Sequence, residues 1–410
     1  MNRTIFATLM ATLLGAGCGA ASDFGDVKCA AVISPSADTK ANRTAIQGAI
    51  GAAMPGAVIC LNAGVYPLHD EIDISTANLE LRGPANGSAI LDFNGQAAGA
   101  NGVSVVSADG FKITSLTVKN TPGDAIRVTQ TKGVTFTSVT VTWDGGAATS
   151  NGAYGLYPVQ CQNVLIDKCS VSFAADAGIY VGQSANILVR GSEAFGNVAG
   201  IEIENSVGAE VTNNYSHDNT GGVLVFGLPN LMSEGSSAAN VHDNKVIHNN
   251  GMNFAARSGI VSHVPSGSGL LVISSDNNEI HNNTITDNDS AGFAVVSYLV
   301  LQMPFTDAQY DPYPAGNSVH DNTFMGNGLY PSGIAATLAA AAGQQTVTDL
   351  VWDGIVDPSK AADPKRINCF DSNGAATFTD LGIDDKGNFH PSTNLAPYTC
   401  KHDSLPAIKP

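Results

Sequence analysis

A 22-residue period constrains this chain more than any other feature. The segments DAGIYVGQS (176–184), VAGIEIENS (198–206) and TGGVLVFGL (220–228) align without gaps, so Gly178, Gly200 and Gly222 stand 22 residues apart. The same glycine–apolar–x–apolar unit returns at Gly269 and Gly292, and in cruder form as GLYP at Gly155. A second column runs through VTNNYSHDN (211–219), VHDNKVIHN (241–249), IHNNTITDN (280–288) and VHDNTFMGN (319–327). Each places asparagine three and eight positions after an apolar residue. This gives one ladder of Asn214, Asn244, Asn283 and Asn322, and another of Asn219, Asn249, Asn288 and Asn327. The longer gaps resolve into one 22-residue turn plus insertions of 8 and 17 residues, and insertions that keep the phase belong in loops.

A turn this short, built of three alternating strands and tight bends, is a coil of an all-β, right-handed parallel β-helix. Each strand pairs with its equivalent in the next coil, about 4.8 Å away. Alternation sends Ile179, Val181, Ile201, Ile203, Val223 and Val225 inward, and Tyr180, Glu202 and Leu224 outward. Asparagine recurs at the bends because it tolerates left-handed backbone and its amide can satisfy turn groups of the next coil. Roughly ten coils fit between Val58 and Asn327. NRTAIQGAIGAAM (42–54) has the apolar spacing of a short helix that covers the first coil, with Pro55–Gly56 as its stop. After Gly328 the period vanishes, and Ala335 to Ala342 reads as helix. The expected division is an export segment with a short linker over 1–21, the β-helix with its N-terminal cap over 22–328, and a C-terminal cap or small appended module over 329–410.

The net charge of −17, with only 19 Lys and Arg, argues against a nucleic-acid partner. An acidic surface also repels polyanionic glycans unless a divalent cation bridges the charges. Arg3 and the short apolar run Ile5 to Leu14 read as an export signal. LLGAGC then resembles a bacterial lipobox, with Cys18 as the lipid-modified residue; ordinary cleavage after GAA (19–21) is the alternative. Gly19 after that cysteine points to an outer-membrane or cell-surface lipoprotein, with a periplasmic or secreted protein as the other reading. Six further cysteines allow fifteen connectivities, and proximity favours Cys29–Cys60, Cys161–Cys169 and Cys369–Cys400 in an oxidising compartment.

The phrases YGLYPV, DAGIYVGQS, AGIEIENS, NTGGVLVFGLPNL, NNGMNFA and VPSGSGLLV resemble a family of exported bacterial parallel β-helix repeat proteins, many with lipoprotein signals. The resemblance covers roughly Val58 to Gly328 and lies within the pectin-lyase-like superfamily of pectate lyases, alginate lyases and epimerases. The nearer family has no established activity. Its genes often neighbour one for an exported c-type-cytochrome-like protein, which implies a partner of that kind.

In pectin-lyase-like enzymes the substrate lies along the outward face of one sheet. Here the resemblance puts that face on the strands after the repeat glycines, with Arg127, Tyr157, Tyr180 and Phe226 as substrate-binding candidates. Asp176, Glu202 and Glu204 are candidates for catalysis or for holding calcium, since paired carboxylates serve hydrolases and cations alike. Asp124 and Asp176 sit at bends just before their strands. His217, beside Asp218 in YSHDN, is a further catalytic candidate, although the equivalent rungs hold unrelated residues. Arg127 and Arg257 are the nearest matches to the basic residue that lyases use. His242, His281 and His320 should stack in a column on another sheet, where repetition explains them better than a metal does. Three insertions, 229–239, 252–268 and 299–317, offer loops for specificity, the third bringing Tyr310 and Tyr313. The leading reading is a surface-anchored β-helix that binds and processes a polysaccharide as a lyase, epimerase or hydrolase. Its rival is a non-catalytic scaffold or partner-binding lipoprotein working with the cytochrome-like protein. An enzyme requires converging titratable groups, whereas a scaffold requires an apolar or aromatic patch without them.

Overall fold

The computed structural model describes residues 24–233, 235–257 and 259–410. Within them the chain winds into three parallel sheets of twelve, ten and eleven strands. Sheet 1 runs from Ala31–Ile33 to Cys369–Asp371, sheet 2 from Gly64–Pro67 to Thr323–Met325, and sheet 3 from Asp70–Ile74 to Phe378–Asp380. The register is that of the repeat: Ile179 faces Ile201, which faces Val223, which faces Leu270. Ile179, Val181, Ile201, Ile203, Val223 and Val225 are all fully buried in one continuous core.

The bends explain the polar half of the motif. Asn213, Asp243, Asn282 and Asp321 occupy the left-handed region at φ of 55, 54, 53 and 53°, which small Asx side chains tolerate. The asparagine after each one turns inward. Asn244 Nδ2 donates to Asn283 Oδ1 at 3.0 Å and to Val211 O at 2.8 Å. Asn283 donates in turn to Asn322, and Asn322 to Asn373. The second ladder runs Asn197, Asn219, Asn249, Asn288, Asn327. A third, through Asn278, Asn317 and Asn368, lies outside the aligned columns of the sequence.

The insertions leave the register untouched, since Val241 still faces Ile280 and Ile280 faces Val319. At the N-terminal end the helix Thr39–Ala52 starts on Asp38, whose carboxylate accepts from the Lys40 and Ala41 amides, and buries Ile46 and Ile50 over the first coil. The sheets run past Gly328: Val319 faces Phe370, and Phe293 faces Leu350, which faces Phe378. The sequence period is lost there because long excursions, among them the helix Gly333–Ala341, separate the strands. The final residues cross sheet 1 as a strap. The Leu405 and Ile408 amides donate to Glu279 and Glu210, each at 2.6 Å.

Cys29–Cys60 and Cys369–Cys400 form disulfides. The expected Cys161–Cys169 bridge is corrected, because both are buried free thiols. The extended strand Gln162–Asp167 lies between them. At about 3.3 Å per residue it holds them at different corners of the coil. Cys18 and the export segment lie outside the described residues. No helix of the described residues is long and apolar enough to cross a membrane.

Candidate functional site

Outward positions of sheet 3 form a column that changes character along the solenoid. Arg127 faces Tyr157, Tyr180 faces Glu202, and below them come Leu224, Leu271, Ala294 and Val351. The next outward column passes from Glu204 to Phe226, Ile273 and Val296. The upper end is therefore charged and aromatic, and the lower end apolar.

The expectation of an open groove along this whole face is corrected. The insertions leave the two edges of sheet 3 and fold back over it, packing Leu228, Val261, Val264 and Tyr298 against Tyr180, Leu224 and Phe226 in a second hydrophobic cluster. Burying those apolar outward residues is what drives the loops down. Phe226 and Leu224 are fully covered, Tyr180 is 3% exposed, Glu202 1% and Glu204 8%. The insertions leave the upper margin open, where Tyr154, Tyr157, Asp124, Arg127 and Asp176 are partly exposed.

The polar groups at this margin converge. Tyr154 stacks on Tyr157 with centroids 4.3 Å apart, and both rings contact Tyr180, at 4.8 and 4.9 Å. The Arg127 guanidinium stands 5.2 Å above the Tyr157 ring and 3.7 Å from Asp124 Oδ2. The Tyr180 hydroxyl donates to Glu204 Oε1 at 2.7 Å. Glu202 lies beside Glu204 on the same strand, and its Oε2 is buried without a partner. Desolvation, reinforced by the neighbouring carboxyls, holds Glu202 well above the ordinary carboxyl range. Burial likewise raises Glu204, although hydrogen bonds from Tyr180 and Glu202 offset part of the shift. Asp176, hydrogen-bonded by Tyr154, is pushed up to about 7 by burial and by Glu204. Asp124 is pushed up to about 6 by burial against the pull of Arg127. Carboxyls that titrate near neutrality can both give and take protons. Among the described residues no group of three or more His, Cys, Asp or Glu is placed to hold a metal ion.

The right handed beta helix region family model matches residues 101–262 and 160–298. The chain is a right-handed parallel β-helix. No curated protein matches it in sequence. Similar solved structures include the DFA-IIIase of Arthrobacter chlorophenolicus, at 16% identity and TM-score 0.48, covering 87% of this chain and 93% of that one. The A-module of a mannuronan C-5 epimerase from Azotobacter vinelandii matches at 15% identity and TM-score 0.46, over 81% and 90% of the two chains. An alginate lyase from a Paenibacillus species matches at 14% identity and TM-score 0.40, over 62% and 94%.

Other candidate residues of this β-helix lie apart from the carboxyl cluster. His217 is on sheet 2, stacked between Phe195 and Tyr215 and paired with Asp218 at 2.7 Å. His242, His281 and His320 stack on sheet 1 at 4.9 and 5.1 Å, as the repeat required. Tyr310 pins its insertion by donating to Gly227 O at 2.6 Å. Tyr313 lines a cleft of about 340 Å³ beside Trp352 and Tyr398 at the C-terminal end. Arg257 is exposed on the second insertion. The sequence reading missed Tyr154, whose signal was its place beside Gly155 with Tyr157 three residues on.

Proposed function

We propose that this β-helix binds and processes a polysaccharide by acid–base chemistry at the upper margin of sheet 3. One observation carries the reading: Asp124, Asp176 and Arg127 stand at a margin of that face that the insertions leave uncovered, beside the buried pair Glu202 and Glu204. Titratable convergence of this kind is what a catalytic role requires and a scaffold lacks. Tyr154 and Tyr157 offer ring faces to a sugar, and Arg127 stabilises negative charge as it develops. Asp176 donates a proton and Asp124 accepts one, with burial and the neighbouring Glu204 holding Asp176 in its protonated form. Export and anchoring through Cys18 rest on the pattern of residues 1–21, and a c-type-cytochrome-like partner, which belongs to the rival scaffold reading, rests on the family resemblance.

The test is a glycan screen read for new reducing ends, unsaturated products and changed sugar composition, run with the wild-type chain and with Asp176→Asn. Turnover lost at least a hundredfold in the variant supports the reading. Absence of product on every glycan, or turnover unchanged in the variant, overturns it.

A further inference from the structure

Below the carboxyl cluster, sheet 3 encloses a cavity of about 90 Å³. Its origin is a run of small residues. Ala294 interrupts the outward column Leu224, Leu271, Ala294, Val351. The helix Gly333–Ala341 that lies over it faces the gap with Ile334, Ala335, Leu338 and Ala339. Positions i, i+1, i+4 and i+5 form one helical face. With two alanines on the helix and one on the sheet, the two walls meet without filling the space between them.

The cavity has a polar neighbour. A cleft of about 380 Å³ shares His263, Val264, Pro265, Leu301 and Ile334 with it, and adds Asn253, Ser262, Ser266 and Ser332. The His263 imidazole is exposed and has no hydrogen-bond partner among the described residues. No Asp, Glu, Lys or Arg lines either space among the described residues. An apolar chamber that opens through a few shared residues into an uncharged, hydrogen-bonding cleft is a ligand site of defined polarity. An ionised head would find no counter-charge there. The Ser262, Ser266 and Ser332 hydroxyls already donate to backbone carbonyls and keep acceptor lone pairs, so a fully apolar ligand would leave those lone pairs and His263 unused.

We infer that the space between Ala294 and the helix Gly333–Ala341 is a binding site for an uncharged amphiphile, its short alkyl chain in the cavity and its hydroxyl or carbonyl head against His263 and Ser262. The site is separate from the carboxyl margin, so it stands or falls independently of the activity proposed there.

The experiment is calorimetric titration of the full chain with 1-butanol, 1-pentanol and 1-hexanol, with hexanoate as the charged control. Saturable binding at one site is expected, tightening roughly three- to fourfold per methylene, as burial of a CH₂ predicts. Ala294→Phe and Ala335→Leu fill the cavity from its two walls; each is expected to abolish binding while circular dichroism and Tm report a folded chain. His263→Ala is expected to weaken alcohol binding several-fold. The inference is overturned if 1-hexanol gives no saturable heat, if both filled variants bind as the wild type does, or if hexanoate binds as tightly as 1-hexanol.

Discussion

The Tyr180 hydroxyl and Glu204 carboxyl are joined by a 2.7 Å hydrogen bond one coil apart, beneath a loop that shields both from water. That bond lowers an otherwise raised Glu204 pKa. Tyr180→Phe removes the donor and leaves a buried carboxyl oxygen unpartnered. The expected outcome is a loss of about 1–3 kcal/mol in urea unfolding, with Glu204 shifted further upward. Carboxyl infrared bands followed against pH read that shift directly, and a band that does not move would contradict it.

The paired acids set the pH profile of the proposed activity. Asp124 acts as a base only when ionised, above about 6, and Asp176 as an acid only while protonated, below about 7. The profile should be bell-shaped with its maximum between those values. Arg127→Met removes the charge that lowers Asp124 and should move the acidic limb upward. A flat profile from pH 5 to 8 would be incompatible with these roles.

Stability should fall as pH rises through the same range. Asp353 is fully buried, accepts from the Ser297 and Ile355 amides, and is pushed up to about 7, chiefly by burial. A carboxyl with a folded-state pKa above its unfolded value near 4 holds its proton more tightly when folded. The folded state is therefore favoured below the unfolded pKa, and that advantage is lost as pH rises through the folded pKa. The urea midpoint should be higher at pH 5 than at pH 8. Asp353→Asn should flatten the dependence by an amount on the order of 2 kcal/mol.

Within VHDNKVIHN (241–249) the two kinds of polar residue should behave oppositely. Asn244 is 1% exposed and hydrogen-bonds coils on both sides, receiving from Asn214 and donating to Asn283. Asn244→Ala orphans buried amides and should cost roughly 2–4 kcal/mol. His242 lies on the surface of sheet 1, stacked on His281. His242→Gln should cost less than about 1 kcal/mol. Equal losses at both positions would mean the column and not the ladder holds the coils.

The cysteines are open to direct counting. Burial pushes the Cys161 thiol up to about 11 and the Cys169 thiol up to about 12, so neither should react with a thiol reagent in the native protein at pH 8. In guanidinium without reductant both should react, whereas the other two pairs stay oxidised. Loss of that thiol signal would restore the bridge that proximity favoured.

Proximity failed there because sequence distance does not report which corner of a coil a residue occupies. Position within the repeat does: Cys161 and Cys169 flank one strand, so no bend brings them together. The carboxyl cluster was legible in part for the same reason. Alternation put Glu202 and Glu204 outward, and the bend positions marked Asp124 and Asp176. Outward proved not to mean exposed. What lies over a sheet face depends on loops whose landing place carries no period, and Phe226 changed from a candidate contact into the floor of a second core.

By itself the sequence determined the coil, its register and its inward residues, because each rung repeats the same local problem of burying alternate side chains and satisfying a bend. It also marked the two asparagine ladders, since an amide that bonds its own equivalent must recur with the period. Only the tertiary structure decided where the solenoid is sealed and where it is open. That outcome depends on apolar loops from distant coils competing for one face, and such contacts are set by shape and burial in three dimensions. The raised carboxyl pKa values and the space beneath the helix Gly333–Ala341 both follow from that packing.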